Sequence, residues 1–357
     1  MLRSFLVYVF FISIWSCQKK VESESSIEII DVQKKINIVP GIFSDTSYIP
    51  LEFCEDCIVG DITKVEFNNS SFIISDKSKT KSILKFDSVG NCQFKIGEAG
   101  EGPGKFILPF DFSIIPDQDI LCVLDNNQSK LLYYSLVDGH FIEEERIDFK
   151  AKSIKFLDSE NLAVHLDGNF FGNEMDYHGL IFHLPTGQKK SFVYDFSKTD
   201  QMVTAGDFYN LNKEVLFSKS MNDTIYTVTA DGFKPKYFID FSDKGIPKET
   251  KVKPFNEMFD QMMKELPHYH NGNFIENSKY LFFISWDEGE LENSMIYDKS
   301  KKTLYNSSDD KVIFKRPFYL NENEVYCYLT NADYASYGLE PNFGKSENPV
   351  IVKFTLK

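Results

Sequence analysis

The chain has 357 residues and carries 53 acidic against 39 basic side chains, for a formal net charge of −14. This acidic balance argues against nucleic acid as a partner, because phosphate binding needs a basic surface. A hydrophobic content of 42% is ample for a sizeable core, and the 34 Phe and 18 Tyr residues favour strands.

The N-terminus predicts an export signal followed by a lipid anchor. An apolar stretch from Leu6 to Ile14 is too short to span a bilayer comfortably. The segment Ile14-Trp15-Ser16-Cys17 resembles a bacterial lipobox, in which the cysteine is lipidated and becomes the first residue. The resemblance implies a signal peptide over 1–16, lipidation of Cys17, a polar tether over 17–45, and anchoring in the cell outer membrane. Ordinary secretory cleavage is the alternative.

Export permits disulfides, which makes the remaining cysteines informative. Cys54 and Cys57 form a CxxC beside a turn, for which we expect a local disulfide or two idle thiols. One such pair cannot supply the four ligands of a structural zinc site. The other three lie inside apolar runs and are predicted to be buried thiols: Cys92, Cys122 and Cys327.

Four glycines divide the chain at a nearly constant interval. Gly90, Gly139, Gly187 and Gly232 are separated by 49, 48 and 45 positions, and each lies between two strand-like runs. Units of about 40–50 residues with four short strands are typical of a β-propeller. The predicted units are 61–96, 110–147, 153–196, 204–241, about 272–306, and a sixth from about 315 to the last residue.

The sixth unit contains only three strand-like runs. A fourth run is available at 48–53, before the first unit. If it completes the last sheet, the two chain ends meet in one blade and no edge is left open. The sequence therefore predicts an all-β fold, a six-bladed β-propeller with blades of four antiparallel strands, over 46–357.

The long loops are predicted to lie on one face of the ring. If the strands of a blade are called a to d, the a–b and c–d links lie on one face, and the b–c and d–a links on the other. Long loops on a rigid scaffold are where binding usually resides. All the long links are of the b–c or d–a kind: 97–106, 167–179, 243–271 and 331–349.

The link 243–271 carries a helical pattern. Apolar residues recur at i, i+3 and i+4 spacing from Phe255 to Leu266, and Pro254 and Pro267 bound them. The pattern predicts a helical insertion at about 250–268. It is either a helix packed on the rim of the ring or a lid or partner-docking helix.

Three stretches resemble the hallmark segments of the six-bladed β-propeller lipoproteins, which are distantly related to NHL- and TolB-like propellers. They are YIPLE at 48–52, IVGDI at 58–62 and GEGPGKF at 100–106, where Lys105 stands in place of the Glu usual in that family. The resemblance spans 46–357 and implies the same fold. Because the family is largely uncharacterised, it implies no particular activity.

Several carboxylates are placed near the predicted central channel. Asp76 and Asp125 end second strands, whereas Asp61, Asp111 and Asp207 lie where innermost strands begin. Such groups could hold Ca²⁺ or another divalent metal, or act as an acid–base pair. The alternative is that a repeated Asp accepts hydrogen bonds from backbone amides at a repeated turn.

Arg316 has no counterpart in the other blades. It stands at the start of the innermost strand of the predicted sixth blade. Its forked guanidinium suits a carboxylate or sulfate ligand, or an ion pair with an aspartate of a neighbouring blade. His178, His268 and His270 could together supply three zinc ligands. No fixed spacing supports that site, so we expect these histidines to be solvent-facing or satisfied in the core.

The motifs include no nucleophile signature, phosphate loop or dinucleotide fingerprint. The sequence therefore predicts a cell-envelope lipoprotein, without a required cofactor, that recognises a glycan, a peptide or a partner protein through its loop-rich face. A metal-dependent lyase or hydrolase at the channel mouth, and a structural subunit of an envelope complex, are the alternatives. The predicted ligand-binding residues are Arg316, Asp76, Asp125, Lys105, Tyr177, His178, Tyr334 and Tyr337.

Overall fold

The computed structural model describes most of the chain after its first 26 residues. The predictions for Cys17, Tyr177, His178, Tyr334 and Tyr337 lie outside the described residues. No helix in the described part of the chain is long and apolar enough to cross a membrane. The described ranges are 27–36, 41–166, 179–192, 206–211, 214–287, 291–306, 316–330, 333 and 347–357.

The described residues form six four-stranded antiparallel blades arranged as a propeller, as predicted. Strands β1 (Glu28–Asp31) and β2 (Phe43–Pro50) precede blade one, which contains β3 (Lys64–Asn68), β4 (Ser71–Asp76), β5 (Ser82–Asp87) and β6 (Cys92–Ile96). A short parallel pair, β7 (Glu98–Ala99) and β8 (Lys105–Phe106), leads to blade two, with β9 (Asp111–Ile114), β10 (Ile120–Asp125), β11 (Lys130–Ser135) and β12 (Phe141–Arg146). Blade three contains β13 (Ala151–Phe156), β14 (Asn161–Leu166), β15 (Gly179–His183) and β16 (Gln188–Phe192).

The remaining blades follow the same plan. Blade four contains β17 (Gly206–Leu211), β18 (Glu214–Lys219), β19 (Thr224–Thr229) and β20 (Gly232–Asp240), and two helices follow it, α1 (Lys248–Lys251) and α2 (Phe255–Glu265). Blade five contains β21 (Tyr269–Glu276), β22 (Tyr280–Asp287), β23 (Leu291–Asp298) and β24 (Thr303–Asn306). Blade six contains β25 (Tyr319–Leu320), β26 (Glu324–Leu329) and β27 (Val350–Leu356). Short 3₁₀ turns occupy Val32–Lys34, Leu184–Thr186 and Ser242–Lys244.

The ring is closed by the N-terminal strand, as predicted. β2 pairs antiparallel with β27, with Ile49 opposite Ile351, and so becomes the outer strand of blade six. The strand ends at Pro50, and the chain then turns towards blade one, where the Glu52 amide donates to the Gly90 carbonyl at 2.8 Å. A Cβ on Gly90 would lie 2.3 Å from the Pro50 carbonyl oxygen, so this close approach requires glycine.

Part of the expected tether belongs to the folded domain, which corrects the predicted boundary at residue 45. β1 adds to blade four as a fifth strand, in parallel register with β20 from Glu28 opposite Tyr237 to Asp31 opposite Asp240. Alternation along β1 explains the docking, because Ile30 is 1% exposed in the core whereas Ile29 is 64% exposed. The N-terminal segment therefore runs along the outside of the ring before it closes blade six.

The helical insertion is present and packs on the ring through one side only. Met258 and Met262 of α2 are buried against Met221 and Ile246. The wide apolar stripe also places Phe259, Met263 and Leu266 on the exposed side of the insertion. The rim-packing interpretation therefore holds for Met258 and Met262.

The prediction that Cys92 is a buried thiol was wrong, because Cys92 is half-buried and forms a disulfide, and neither alternative for Cys54 and Cys57 describes the observed pairing. Cys57 forms a disulfide with Cys92 and not with Cys54, which remains a thiol. The hairpin of β5 and β6 causes this pairing, because it brings Cys92 beside the segment that follows β2. The thiols of Cys122 and Cys327 are buried, as predicted.

Candidate functional site: the charged mouth of the central channel

The innermost strands surround a cavity of about 390 Å³ at the start of β3, β17 and β25. The d–a links reach the innermost strands at this end, so the cavity opens on the loop-bearing face. One contact confirms that both link types share this face: the Gln128 amide, in the b–c link of blade two, donates to the Lys105 carbonyl, in the d–a link, at 2.9 Å. The lining includes Thr63, Lys64, Glu66, Phe67, Lys155, Asp207, Tyr209, Asn273, Arg316, Tyr319 and Tyr328.

A buried ammonium stands at the centre of a cluster drawn from four blades. Lys64 Nζ lies 2.8 Å from Asp111 Oδ1 and 3.5 Å from Asp207 Oδ1. It also lies 3.8 Å from Glu66 Oε1, which in turn accepts from Lys155 Nζ at 2.8 Å. These two cations and three carboxylates, which we call the channel cluster, tie blades one to four together across the channel.

Burial and mutual attraction shift the proton affinities within the channel cluster. Burial acts to lower the pKa of Lys64, but the carboxylates of Asp111, Asp207 and Glu66 overcome it and hold that pKa well above its usual value. Burial raises the pKa of Asp111 to about 6, against the opposing attraction of Lys64, and the Asp207 carboxylate adds to the rise. Asp111 therefore takes up a proton at a higher pH than an ordinary aspartate does.

Arg316 reaches the same mouth and forms an ion pair. Its Nη1 lies 2.7 Å from Asp333 Oδ2, and its guanidinium lies over the Tyr328 ring at 5.5 Å from the centroid. The predicted ion pair is thus present, but its partner comes from the b–c link of the same blade and not from a neighbouring blade. Burial acts to raise the pKa of Asp333, but hydrogen bonds from Arg316 and Thr330 lower it below its usual value.

Asp76 and Asp125 serve the turns at which they stand. Asp76 accepts from the backbone amides of Gly60, Asp61 and Lys79 at 2.8–3.1 Å, and from the Thr80 hydroxyl. Both carboxylate oxygens are engaged, and the side chain is buried. These contacts support the turn-capping interpretation, and Asp76 does not line the cavity.

Asp125 repeats this arrangement one blade further on. It accepts from the amides of Ile107 and Asn127 at 2.7 and 2.8 Å and from both nitrogens of Gln128. Its carboxylate is fully buried. Asp125 therefore also caps a turn and does not line the cavity.

Lys105 lies on the loop-bearing face but away from the cavity. Its ammonium pairs with Glu98 at 2.8 Å, and the side chains of Lys105 and Glu98 are 44% and 69% exposed. The glycines around it allow the link to pack on blade two, where the Tyr134 hydroxyl donates to the Gly104 carbonyl at 3.2 Å. The structure therefore separates Lys105 from Arg316.

The described histidines do not gather around a common point. His270 is fully buried, its Nε2 contacts the Asn222 carbonyl oxygen, and its Nδ1 accepts from the Gly272 amide at 3.1 Å. Burial lowers its pKa, so the imidazole is neutral and satisfied in the core. Within the described ranges, one trio of metal-ligating side chains has all its ligand atoms within 4.8 Å of one another: Cys54, Cys57 and Cys92.

Three charged residues of the channel cluster were not predicted from the sequence: Lys64, Glu66 and Lys155. One signal was available, because Lys155 interrupts the short apolar run Ile154-Lys155-Phe156 of an innermost strand. A charged side chain in such a run must either reach solvent or find a buried partner. The partner itself could not be predicted, because it lies 89 positions away in another blade.

Comparisons with known proteins agree with this fold. A structure of a Bacteroides fragilis protein, described as an exported protein, superposes with a TM-score of 0.76 at 19% identity, covering 92% of this chain and 99% of that one. A DUF4221-family member from Bacteroides vulgatus superposes with a TM-score of 0.55 at 13% identity, over 88% and 97% of the two chains. Both likenesses show the fold alone.

One curated relative is similar in sequence over a shorter stretch. It is a Caenorhabditis elegans protein described as a probable peptidyl-α-hydroxyglycine α-amidating lyase, 33% identical over 148 residues. The match spans 39% of this chain and 42% of that protein.

A match to a protein-family model covers nearly the whole chain. A family model described as a domain of unknown function, DUF4934, matches residues 24–355. That range includes β1, the six blades and the closing strand. The protein therefore belongs to the DUF4934 family.

Proposed function

We propose that this protein is an exported, lipid-anchored propeller that binds a glycan or a peptide in the channel mouth of its loop-bearing face. The observation that carries the proposal is the cavity of about 390 Å³ described above. Ligand pockets of this size combine apolar or aromatic walls with a few convergent polar groups. Tyr319 and Tyr328 supply aromatic walls here, and the channel cluster and Arg316 supply the polar groups.

The arrangement of Arg316 suits ligand exchange at the rim. Its side chain is 38% exposed, whereas that of Asp333 is 6% exposed. A ligand carboxylate can approach the exposed edge of the guanidinium while Asp333 and Tyr328 hold its plane in place. The predicted residues Tyr177, His178, Tyr334 and Tyr337 lie outside the described residues and remain proposed contacts.

The experiment is a glycan and peptide array probed with the full chain and two cavity-filling variants. Asn273 lines the proposed site, so Asn273→Trp should fill it and reduce binding of any hit at least tenfold. Ser159 lines the opposite mouth of the channel and is exposed, so Ser159→Trp is the matched control and should bind like wild type. Equal binding by all three proteins would place the ligand elsewhere and contradict the proposal.

A second candidate, a metal-dependent lyase at the channel mouth, is favoured by the similarity to the amidating lyase. Its test is incubation with a peptidyl-α-hydroxyglycine, followed by mass spectrometry for the amidated peptide, together with elemental analysis of the purified protein. Product formation with stoichiometric metal, both lost on chelation, would replace the binding proposal with this one. No product and no retained metal would leave the binding proposal standing.

A further inference from the structure

Three cysteine sulfurs meet where the ring closes. The disulfide joins Cys57, in the segment after the closing strand, to Cys92 at the start of the outer strand of blade one. The thiol of Cys54 lies within 4.8 Å of both sulfurs. This arrangement places a nucleophile beside a disulfide, which is the requirement for thiol–disulfide exchange.

The local backbone favours a second pairing. The Cys57 amide donates to the Cys54 carbonyl at 3.0 Å, so the two residues close a tight turn. A CxxC turn of this kind is the common frame of a reversible disulfide. Cys54 and Cys92 are half-buried whereas Cys57 is buried, so the outer two sulfurs are the ones that reagents can reach.

The segment that carries Cys54 and Cys57 does not depend on the disulfide alone. Asn348, which is buried just before β27, accepts from the Val59 amide at 2.8 Å. Its side-chain nitrogen donates to the carbonyls of Glu52 and Cys57 at 2.7 and 2.6 Å. The segment should therefore stay in place while the sulfur bond changes partners.

We propose that Cys54, Cys57 and Cys92 form a thiol–disulfide exchange site at the closing seam of the propeller. The Cys54 thiolate attacks the Cys57 sulfur, the Cys54–Cys57 bond forms, and the Cys57–Cys92 bond breaks. Cys92 leaves as a thiolate and takes up the proton that Cys54 lost. One disulfide and one thiol exist before and after, so the step consumes neither oxidant nor reductant.

The exchange has a structural consequence. In the first pairing, the segment after β2 is fastened to the outer strand of blade one. In the second, that link is released and a half-buried thiol is presented at Cys92, available to an external thiol or disulfide. Three sulfurs fall short of the four ligands of a structural zinc site, so the redox assignment fits this group better than a zinc site.

The first test asks whether the second pairing forms. The full chain carrying Cys92→Ser is equilibrated in a glutathione buffer that keeps the wild-type disulfide oxidised, quenched with acid and mapped by mass spectrometry. Cleavage at Glu55 or Asp56 separates the two cysteines of the CxxC. A Cys54–Cys57 disulfide is expected. Two alkylated thiols at these positions would overturn the proposal.

The second test asks whether Cys54 drives the release of Cys92. The native full chain is incubated with a maleimide, and the label on each cysteine is followed with time. We expect wild type to accumulate label on Cys92 alongside a Cys54–Cys57 disulfide, and Cys54→Ser to carry at least tenfold less label on Cys92. Label confined to Cys54 in wild type, or equal Cys92 labelling in both proteins, would contradict exchange.

The buried thiols provide the control for folding. Cys122 and Cys327 are fully buried, so they should stay unlabelled until denaturant is added. In Cys54→Ser, a protected Cys122 shows that any loss of Cys92 label arises from the missing nucleophile and not from a changed fold.

Discussion

Two sets of aspartates in this propeller have the same chemistry and different surroundings. Asp76 and Asp125 stand at equivalent turns of neighbouring blades, and each accepts at least two hydrogen bonds from nearby backbone amides. Asp111 and Asp207 stand at the starts of innermost strands and share one lysine from a third blade. The first arrangement is repeated in blades one and two, whereas the second occurs once among the described residues.

The difference shows what repetition means in this fold. A turn that recurs needs the same cap each time, and a carboxylate bonded to backbone amides satisfies it locally. The channel cluster brings charges together across blades, where burial makes them costly unless they are paired. Groups kept in a costly arrangement are better candidates for function than groups that complete a turn.

The largest expected effect is at the centre of the channel cluster. Lys64→Met removes the cation that Asp111, Asp207 and Glu66 share. Glu66 keeps its ion pair with Lys155, but Asp111 stays buried without its 2.8 Å partner. The free energy of unfolding should fall by about 3–5 kcal/mol, measured by denaturant titration. Lys353→Met is the control, because its partner Glu324 is half-exposed, and should cost about 1 kcal/mol or less. Equal losses of unfolding free energy in the two variants would mean that the channel cluster contributes no more to stability than the partly exposed pair of Lys353 and Glu324.

The second prediction concerns pH. The pKa of Asp111 is raised to about 6 in the folded protein, from an ordinary value of 3.8. Between these values the folded chain holds a proton that the unfolded chain has lost, so this group makes stability fall as pH rises through the window. The full contribution is about 3 kcal/mol, of which about 2.4 kcal/mol is lost between pH 4 and pH 7.

Asp111→Asn isolates that contribution. From pH 4 to pH 7, the free energy of unfolding of wild type should fall by that amount relative to that of the variant, because Asn does not titrate. Denaturant unfolding at each pH measures both values. A constant difference across the window would show that Asp111 titrates like an exposed carboxylate.

Removing either turn carboxylate, Asp76 or Asp125, should lower the free energy of unfolding by a smaller amount, similar for the two. Asp76→Ala and Asp125→Ala each leave buried backbone amides without an acceptor, which costs about 2 kcal/mol in unfolding free energy. Ligand binding on the array should not change in the folded fraction, because neither group faces the cavity. If either variant lost ligand binding without losing stability, that aspartate would be a ligand contact, as first predicted.

The smallest effect is expected at Lys105. Its pair with Glu98 is exposed on both sides, so Lys105→Ala should leave the denaturation midpoint unchanged within error. It should also leave array binding unchanged, because the ammonium lies outside the cavity. A clear loss of binding would extend the site from the channel mouth to the outer rim.

Much of the architecture was predictable because it is periodic. The turn glycines marked the c–d links, and in the structure Gly90, Gly139, Gly187 and Gly232 all have positive φ. The closing strand was predictable because a sheet with one strand missing leaves an edge that must be paired. β1 was not predictable, because a parallel edge strand of four residues has no turn that links it to its partner.

The candidate site was predicted only in its location. Arg316 was found because it breaks the repeat, and it does reach the channel mouth. Lys64 and Glu66 were missed, because a strand that begins with a charged residue looks like any strand end. The disulfide between Cys57 and Cys92 was not among the sequence-based alternatives, because the hairpin that brings Cys92 to Cys57 is not visible in the spacing of the cysteines.

The amino-acid sequence by itself determined the number of blades, the closure of the ring and the face that carries the long loops. These follow from local rules: alternation, turn residues and strand count. Only the tertiary structure decided which charges meet in the channel, which sulfurs are bonded and where the N-terminal segment docks. Those contacts join residues from different blades, and their energies depend on burial and distance, which exist only once the ring has closed.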